Sequence, residues 1–378
     1  MARPALSPSD MPADQGATVR LAETSEDKAK VFSFRYQTYC VQQQLFLDVA
    51  DHDRRWLRDV DDEDGLIWLA EQNGEAVGTL RANVGPNGAF SDELTEIFDL
   101  HKFVAVIDAE RIAVLSRFIV APQLRGGMVS GGLMAHAAQY GIAHRMDTVF
   151  CDCEPHLVDL YRRIGFRPFK PLYNHPTSGL LVPLVLLLSD RDHLVRVNSL
   201  MLSLIPEDFP HTAEAALLEL IGSDVVRSPD TRLFADMETR ANGDVDTPSS
   251  LLDGLTVEER ERLFTRSNVL SVRSGDALIR ASHVSRTVYV VLDGTFQITV
   301  GEQIVGVAVP GDFFGEIALL LDASRTAEVR AVTPGEVVAV SDRVLQRLIV
   351  EEPAIASKVL LNFSRGLARK LLAWHGEH

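Results

Sequence analysis

The sequence has few cysteines and few positive charges. Three cysteines occur among 378 residues, and two of them, Cys151 and Cys153, are separated by a single residue. This spacing fits neither a disulfide framework nor a four-ligand zinc pattern, so we expect a reduced, cytoplasmic protein without a metal site. Lysine and arginine total 37 against 53 acidic residues, which gives a net charge of −16. Such a charge repels phosphates and therefore excludes general binding of nucleic acid or of an anionic membrane.

Long apolar runs are also missing. The longest, Leu180–Leu188, contains Pro183 and is far shorter than the roughly 20 residues that cross a bilayer. No basic segment followed by an apolar one begins the chain, so we expect no secretory signal and no membrane span. With 46% apolar and 24% charged residues, the composition is that of a globular protein, and the length favours two or three domains.

Changes in patterning divide the chain into four segments. Residues 1–18 lack periodicity and are predicted to be a disordered tail. Residues 19–190 mix strands and helices, and residues 191–250 are predicted to be a helical bridge followed by a linker. Residues 251–378 hold short strands with turns and then two helices, a spacing typical of an antiparallel β-roll. The predicted fold class is α+β, in two domains.

Within the first domain, four local patterns are clear. Ser25–Gln44 is predicted to be a helix capped by Ser25, and Asn73-Gly74 predicts a hairpin turn. Glu110–Val120 is predicted to be a strand. The acidic segment Asp48–Asp64 is interpreted as a solvated face, with an electronegative rim that attracts a cationic amine as the alternative.

The most informative stretch is Gly311–Ala331, which reads GDFFGEIALLLDASRTAEVRA. A glutamate, an arginine and the start of a short helix lie close together in it. A cyclic phosphodiester requires an arginine fork and free backbone N–H groups at a helix N-terminus, and a ribose hydroxyl requires an acceptor such as a carboxylate. Gly315 allows the backbone to approach a sugar closely.

This stretch resembles the phosphate-binding cassette of the cyclic nucleotide-binding domain. The resemblance implies that Glu316 binds the ribose and Arg325 the cyclic phosphate. The nucleotide base is expected against the last helix, where Asn362, Ser364 and Arg365 offer polar groups. We predict cyclic AMP as the ligand, with cyclic GMP as the alternative. The predicted nucleotide-binding residues are Phe314, Gly315, Glu316, Ile317, Ala318, Arg325, Thr326 and Ala327.

A second anion-binding pattern follows the strand that ends at Val120. It reads Gln123-Leu124-Arg125-Gly126-Gly127-Met128-Val129-Ser130 and opens a helix, so its free N–H groups and arginine suit a pyrophosphate. Val120, Pro122, Arg125 and Gly126 resemble the coenzyme A loop of GNAT acyltransferases, although Met128 stands where glycine or alanine is usual. The residues predicted to bind the acyl donor are Phe118, Ile119, Val120, Arg125, Gly126, Gly127, Met128, Val129 and Ser130.

Downstream, Leu160-Tyr161-Arg162-Arg163-Ile164-Gly165-Phe166 resembles a further GNAT motif. The resemblance implies that Tyr161 protonates the leaving thiolate, while backbone N–H groups of a splayed strand near Phe118–Val120 stabilise the oxyanion. Glu110 and Glu154 are the candidates for the base that takes the amine proton. Ser116-Arg117-Phe118 is similar to the branch that contains acyl-homoserine-lactone and N-acyl amino acid synthases.

Together these patterns predict an N-acyltransferase joined to a cyclic nucleotide sensor. Fused modules of this kind are similar to cyclic AMP-regulated protein lysine acetyltransferases, so acetyl transfer from acetyl-CoA to a protein lysine under cyclic AMP control is the first expectation. One alternative is an N-acyl amino acid or lactone-type synthase that uses a long acyl chain from acyl-CoA or acyl carrier protein. The other is a nucleotide receptor whose acyltransferase half is inactive. Acceptor, chain length, sign of regulation and oligomeric state stay open.

Overall fold

The computed structural model describes residues 16–85, 90–210, 213–221, 226–227, 251–264, 267–281, 287–321 and 324–376. The chain forms two compact units. The first comprises Met1–Asp152, Leu160–Lys170 and Pro183–Ser223. The second comprises Cys153–Asp159, Pro171–Val182 and Asp224–His378. Two segments from the N-terminal half of the sequence therefore belong to the unit that holds the C-terminal half.

A mixed sheet organises the N-terminal half. Its order is β1-β2-β3-β4-β5-β8-β6, with β7 paired to β8. Asn73 and Gly74, both with positive φ, form the predicted hairpin turn between β2 and β3. The strands are β1 Thr18–Leu21, β2 Leu66–Gln72, β3 Glu75–Val84, β4 Ile112–Val120, β5 Thr148–Cys153, β6 Arg167–Pro168, β7 Tyr173–His175 and β8 Gly179–Leu187.

Seven helices of the described residues accompany this sheet. They are α1 Ser25–Arg35, α2 Asp92–Phe98, α3 Leu100–Phe103, α4 Met128–Ala143, α5 Val158–Ile164, α6 Arg191–Arg196 and α7 Glu214–Leu220. Val129, Leu133 and Ala137 of α4 pack on one apolar cluster of the sheet. Leu217 of α7, from the predicted bridge, packs with Phe150 and Val185 in another cluster. Apolar burial of this kind is the main stabilising term of the unit.

Three local predictions differ from the structure. Thr24, not Ser25, caps α1, because its side chain accepts from the Asp27 N–H while the Asp27 carboxylate accepts from the Thr24 N–H. The α-helix ends at Arg35 and continues as a π-helical segment, Tyr36–Gln42. Strand β4 begins at Ile112, since Ala109–Arg111 forms a 3₁₀ turn. Most of the predicted tail and linker lies outside the described residues.

The C-terminal half of the sequence forms a β-roll covered by helices, as predicted. Two sheets build it, in the orders β15-β12-β17-β10-β9 and β11-β16-β13-β14. The strands are β9 Val226–Arg227, β10 Asn268–Val272, β11 Ala277–Ile279, β12 Thr287–Asp293, β13 Phe296–Val300, β14 Gln303–Ala308, β15 Phe313–Phe314, β16 Glu328–Ala331 and β17 Gly335–Ser341. The helices are α8 Val257–Phe264, α9 Glu316–Leu321, α10 Asp342–Glu351 and α11 Pro353–Gly376.

The two faces of the first of these sheets have different neighbours. Val288, Val290, Val338 and Val340 belong to an apolar core with Leu345 of α10 and with Val359 and Phe363 of α11. Residues that alternate with these valines point to the other face. The second face is therefore the one that carries Tyr289 and Phe314, next to the cassette.

Candidate functional sites

The cassette brings its glutamate and arginine together. Gly315 stands between β15 and α9 with φ +93°. A Cβ at this position would lie 2.7 Å from Arg325 Nη1 and 2.7 Å from the Thr287 carbonyl oxygen. Only glycine therefore fits, both for its backbone angle and for the close approach of the arginine.

Arg325 is buried, with 5% of its surface exposed. Its guanidinium donates to the carbonyl oxygen of Gly315 at 2.7 Å and to that of Thr287 at 2.6 Å. Burial lowers the pKa of Arg325, while Tyr289, Glu154 and Glu316 act electrostatically in the opposite direction. The guanidinium is thus fixed beside Gly315 in a poorly solvated place, where an anionic ligand gains more from a charge-assisted hydrogen bond than it does in water.

Glu316 begins α9 and is 2% exposed. Its Oε1 accepts from Lys370 Nζ at 2.7 Å. Lys370 also donates to the Phe313 carbonyl oxygen at 3.0 Å, and its ammonium lies 4.8 Å from the centre of the Phe313 ring. Lys370 is a site residue that the sequence analysis missed, because only the folded path of α11 brings position 370 to position 316.

The other predicted cassette residues surround this pair. Phe314 is buried and its ring stacks on Tyr289, with centroids 5.5 Å apart. Ala318 is buried, Ile317 is 37% exposed, Thr326 is exposed and Ala327 is half-buried.

The predicted role of Asn362 at the nucleotide base is wrong. Asn362 is 1% exposed, and its amide donates to the carbonyl oxygens of Leu251 and Asp253. Ser364 donates to Leu360 within α11. Asn362 therefore ties α11 to the segment that precedes α8.

The segment of residues 123–130, which we call the donor loop because it is predicted to bind the acyl donor, offers mainly backbone groups rather than buried side chains. Gly126 has φ +73°, and its N–H donates to Ser130 Oγ at 3.2 Å. Gly127 precedes α4, and no side chain caps that helix. Arg125 is exposed, with Nε donating to the Val120 carbonyl oxygen at 3.0 Å. Met128 is half-buried at the first helical position. The start of α4 therefore has the uncapped N–H groups that the predicted anion site requires.

Strands β4 and β5 separate beside this loop. They are parallel neighbours, and their ladder pairs Ile112–Val114 with Thr148–Phe150, although β4 continues to Val120. Leu115–Ile119 is only half-buried. Beyond the ladder, the segment that contains Phe118, Ile119 and Val120 is splayed away from β5, as expected for the predicted oxyanion site.

Arg117 bends β4 at this point. It has φ +52°, a conformation that is strained for a residue with a side chain. The register with β3 shifts between Thr79 and Arg81. Arg117 Nε donates to Asp59 Oδ2 at 3.0 Å, and its guanidinium lies 4.5 Å from the centre of the Phe46 ring. These contacts hold the strained residue in place.

Asp59 belongs to a buried ionic network that the sequence analysis did not foresee. Arg35, which is fully buried, pairs with Asp62 at 2.7 Å. Arg81 pairs with Asp59, with Asp62 at 3.0 Å and with Asp61 at 3.3 Å. Burial raises the pKa of Asp59, but Arg117 and Arg81 outweigh it and hold the pKa at about 2. The interpretation of Asp48–Asp64 as a solvated face is therefore wrong for these three aspartates.

The predicted catalytic residues occupy different settings. Tyr161 on α5 is 8% exposed, and its ring meets Phe166 edge-on at 5.7 Å. Gly165, with φ +120°, ends this helix, and a Cβ there would lie 2.4 Å from Leu194 Cδ2. Glu110 is exposed in the turn before β4. Glu154 is half-buried after β5 and belongs to the second unit.

Helices α4 and α5 follow β4 and β5 in the chain. Because β4 and β5 are parallel, the loops that leave their carboxyl ends meet at the same edge of the sheet. The donor loop and the helix that carries Tyr161 therefore start from one edge, beside the separated strands.

Two family models match different parts of the chain. Residues 30–190 match the N-acyl amino acid synthase FeeM family, and residues 269–352 match the cyclic nucleotide-binding domain. The chain therefore carries an N-acyl amino acid synthase domain followed by a cyclic nucleotide-binding domain. The predicted combination of an acyltransferase domain and a nucleotide-binding domain is confirmed.

Individual relatives match shorter segments. An uncharacterised ABC transporter ATP-binding protein of Mycobacterium tuberculosis is 42% identical over 65 residues, 16% of this chain and 20% of that protein. A cAMP-dependent protein kinase regulatory subunit of Hypocrea atroviridis is 32% identical over 99 residues, 26% of this chain and 21% of that protein. The chain spans about a fifth of the length of these relatives.

Solved structures give matches of similar extent. The catabolite activator protein of Thermus thermophilus is 26% identical, with a TM-score of 0.30, covering 35% of this chain and 61% of that chain. A cyclic nucleotide-binding domain of Methylobacillus flagellatus is 17% identical, with a TM-score of 0.33, covering 40% of this chain and 85% of that chain.

Two kinds of feature are absent from the described residues. None of their helices has both the length and the apolar character needed to cross a lipid bilayer. Within the same part of the chain, no cluster of three or more histidine, cysteine, aspartate or glutamate side chains is arranged to hold a metal ion.

Proposed function

We propose that this protein is a cytoplasmic N-acyltransferase that transfers an acyl group from a thioester to the amine of an amino acid, under the control of a cyclic nucleotide. The observation that carries the proposal is the separation of β4 from β5 after Val114, next to a helix N-terminus that suits a pyrophosphate. The match of residues 30–190 to the N-acyl amino acid synthase family favours an amino acid over the protein lysine expected first.

In the proposed reaction, a neutral amine attacks the thioester carbonyl and a C–N bond forms. Strand N–H groups near Phe118–Val120 stabilise the oxyanion, and the C–S bond then breaks. Tyr161 gives its proton to the leaving thiolate, and a base takes the proton from the amine nitrogen. Glu110 and Glu154 stay the predicted bases.

The acyl donor is an acyl-CoA or an acyl carrier protein. Residues 125–130 would hold the pyrophosphate or phosphopantetheine phosphate through Arg125 and the N–H groups at the start of α4. Because most of these contacts come from the backbone, they read the phosphates and not the acyl chain. Chain length is then decided elsewhere along the separated strands.

The effector is a cyclic nucleotide, with cyclic AMP preferred over cyclic GMP. Arg325 would hold the cyclic phosphate, while Glu316 would accept from the ribose 2′-hydroxyl. Residues from Phe314 to Ala318, and Thr326 with Ala327, would supply the rest of the cradle. Ligand binding would then alter the rate of acyl transfer, which requires a coupling free energy between two sites.

One experiment separates the candidate functions. The full chain is incubated with acyl-CoA and acyl carrier protein donors of several chain lengths, amino acids and a lysine peptide, with and without each cyclic nucleotide. Mass spectrometry should detect an N-acyl amino acid whose rate of formation changes with the nucleotide. Acylation of the peptide alone would instead support a protein acetyltransferase. Nucleotide binding without any product would support a receptor that has lost catalysis.

A further inference from the structure

A row of residues crosses one sheet of the second unit, from the cassette to the opposite side. Phe314 of β15 pairs with Tyr289 of β12, Tyr289 pairs with Ala339 of β17, and Ala339 pairs with Asn268 of β10. Directly opposite residues of antiparallel strands project from the same face. All four side chains therefore lie on the face next to Gly315 and Arg325, and not on the face that packs on the helices.

The far end of this row meets the segment Cys153–Asp159. Asn268 is 2% exposed, and its Nδ2 donates to the Pro155 carbonyl oxygen at 3.5 Å. Pro155 opens a short 3₁₀ turn, Pro155–Leu157. Glu154 directly precedes this turn, with Oε2 lying 3.4 Å from His156 Nδ1. The chain that directly follows β5 thus reaches the nucleotide side of the sheet.

Charges across this face support the placement. Tyr289 is buried, which raises the pKa of its hydroxyl to about 12, and Glu154 acts in the same direction. Glu154 also acts on Arg325, after Tyr289 and before Glu316 in strength. Two carboxylates, from Glu154 and Glu316, therefore interact electrostatically with one guanidinium.

We propose that Glu154 is part of the nucleotide site, where its carboxylate competes with the cyclic phosphate for the field of Arg325. The proposal rests on the function proposed above and names a regulatory residue of it. A cyclic phosphodiester brings a negative charge next to Arg325 and repels the carboxylate of Glu154, and water partly screens this repulsion because the Glu154 side chain is 41% exposed. Ligand binding therefore displaces Glu154, and the displacement passes directly into β5, whose last residue is Cys153.

A second segment of the N-terminal half is attached to the same unit. Arg273 donates to the Leu172 carbonyl oxygen at 3.0 Å. Asn174 accepts from the Ala277 N–H at 3.2 Å and donates to Asp276 Oδ1 at 3.2 Å. These bonds hold the β7–β8 hairpin against the residues that open and begin β11. The chain then continues through Val182 into the rest of β8. A second strand is therefore covalently continuous with a segment of the second unit.

The test compares Glu154→Gln with Glu302→Gln in the full chain, using calorimetry with cyclic AMP and cyclic GMP. Both changes remove one negative charge, but Glu302 is exposed in the turn between β13 and β14. Removing the competing carboxylate, which is partly screened by water, should tighten nucleotide binding about two- to fivefold. The Glu302→Gln variant should change it less than about twofold, since an exposed charge is screened.

A second variant tests whether the β7–β8 hairpin carries part of the response to the nucleotide. Asn174→Ala, which loosens the hairpin, should leave nucleotide affinity within about threefold. It should reduce the ratio of acyl-transfer rates with and without nucleotide, because one of the two attachments is weakened. Melting curves establish that each variant is folded.

The possible outcomes separate the inference from the function on which it rests. If wild type binds a nucleotide and Glu154→Gln binds it no tighter than Glu302→Gln does, the inference is overturned and the sensor function stands. If wild type binds neither nucleotide at millimolar concentration, both are overturned. Tighter nucleotide binding by Glu154→Gln than by Glu302→Gln supports the inference.

Discussion

Two buried arginines of this protein have opposite environments. Arg81 in the first unit is 2% exposed and Arg325 in the second is 5% exposed. Arg81 forms ion pairs with Asp59, Asp61 and Asp62. Arg325 donates to two neutral carbonyl oxygens, and the carboxylates of Glu154 and Glu316 act on it electrostatically.

The comparison shows that burial of an arginine does not by itself mark a binding site. A guanidinium enclosed by carboxylates is neutralised inside the fold, and its role is to hold strands and loops together. A guanidinium that donates to peptide carbonyls has its direction set by neutral acceptors, which suits an anionic ligand. The following predictions test this distinction, from the largest expected effect to the smallest.

Replacing Arg81 should cost the most stability. Arg81→Gln leaves the three carboxylates of a mostly buried network with only Arg35 and Arg117 as cations, so we expect the free energy of unfolding to fall by about 3–5 kcal/mol. Urea unfolding measures it. The control is Arg54→Gln, whose side chain is 67% exposed beside Asp51 and should cost less than about 1 kcal/mol. Equal losses in the two variants would contradict the structural role of the network.

Replacing Arg325 should weaken nucleotide binding. Arg325→Lys keeps the charge but loses the planar fork, so nucleotide affinity should fall about 100-fold or more in calorimetry. The control is Arg330→Lys on β16, where the exposed guanidinium pairs with Glu328; its affinity should stay within about threefold. Unchanged nucleotide affinity in Arg325→Lys would show that this residue does not bind the cyclic phosphate.

Replacing Gly315 tests whether the close approach of its backbone to the Arg325 guanidinium is needed for binding. Gly315→Ala should lower nucleotide affinity about tenfold or more and destabilise the protein by about 2–3 kcal/mol, because strain and a clash add. Gly311 is a matched control, with φ +96° against +93° and no atom within 4 Å of the place that a Cβ would occupy. Gly311→Ala should show the backbone strain alone, about 1–2 kcal/mol. Identical behaviour of the two variants would argue against the clash.

Acid should reveal the pairing of Asp59. Its folded pKa of about 2 lies below the ordinary value of 3.8. The pairing therefore contributes stability above about pH 4, and this contribution, about 2 kcal/mol, is lost as the pH falls through 2. Asp59→Asn should flatten the dependence of unfolding free energy on pH in that window. The exposed Asp53→Asn should retain the wild-type slope.

The smallest effect is expected at the exposed arginine of the donor loop. Arg125→Gln removes one solvated contact among several backbone contacts, so KM for an acyl-CoA should rise about three- to tenfold with little change in kcat. Steady-state kinetics of the active enzyme would measure it, with exposed Arg58→Gln as the control. A large fall in kcat would instead show that Arg125 stabilises the transition state.

Local signals predicted much of the fold and indicated where the two candidate sites would lie. The turn at Asn73-Gly74 and the strands of the β-roll follow from turn residues and alternation, which act over a few positions. The cassette was recognisable because Gly315, Glu316 and Arg325 lie within one short stretch. The cap at Thr24 was missed because Ser25, next to it, offers the same chemistry.

Long-range pairings were not predictable in this way. Asp59 meets Arg117, and Glu316 meets Lys370, across more than 50 positions each. Many alternative partners of the same charge exist for each of these residues in the sequence. The choice among them depends on how strands and helices pack, and no local rule contains that information.

The sequence by itself determined which elements form and which residue types can bind a phosphate, because backbone preference and hydrogen-bonding capacity are local properties. Tertiary structure alone decided that Glu154 and the β7–β8 hairpin belong to the unit of the nucleotide site. It also decided that Arg81 lies among three carboxylates and that Arg325 donates to two peptide carbonyls. The physical reason is that electrostatic environment depends on neighbours in space, and folding brings those neighbours from distant parts of the chain.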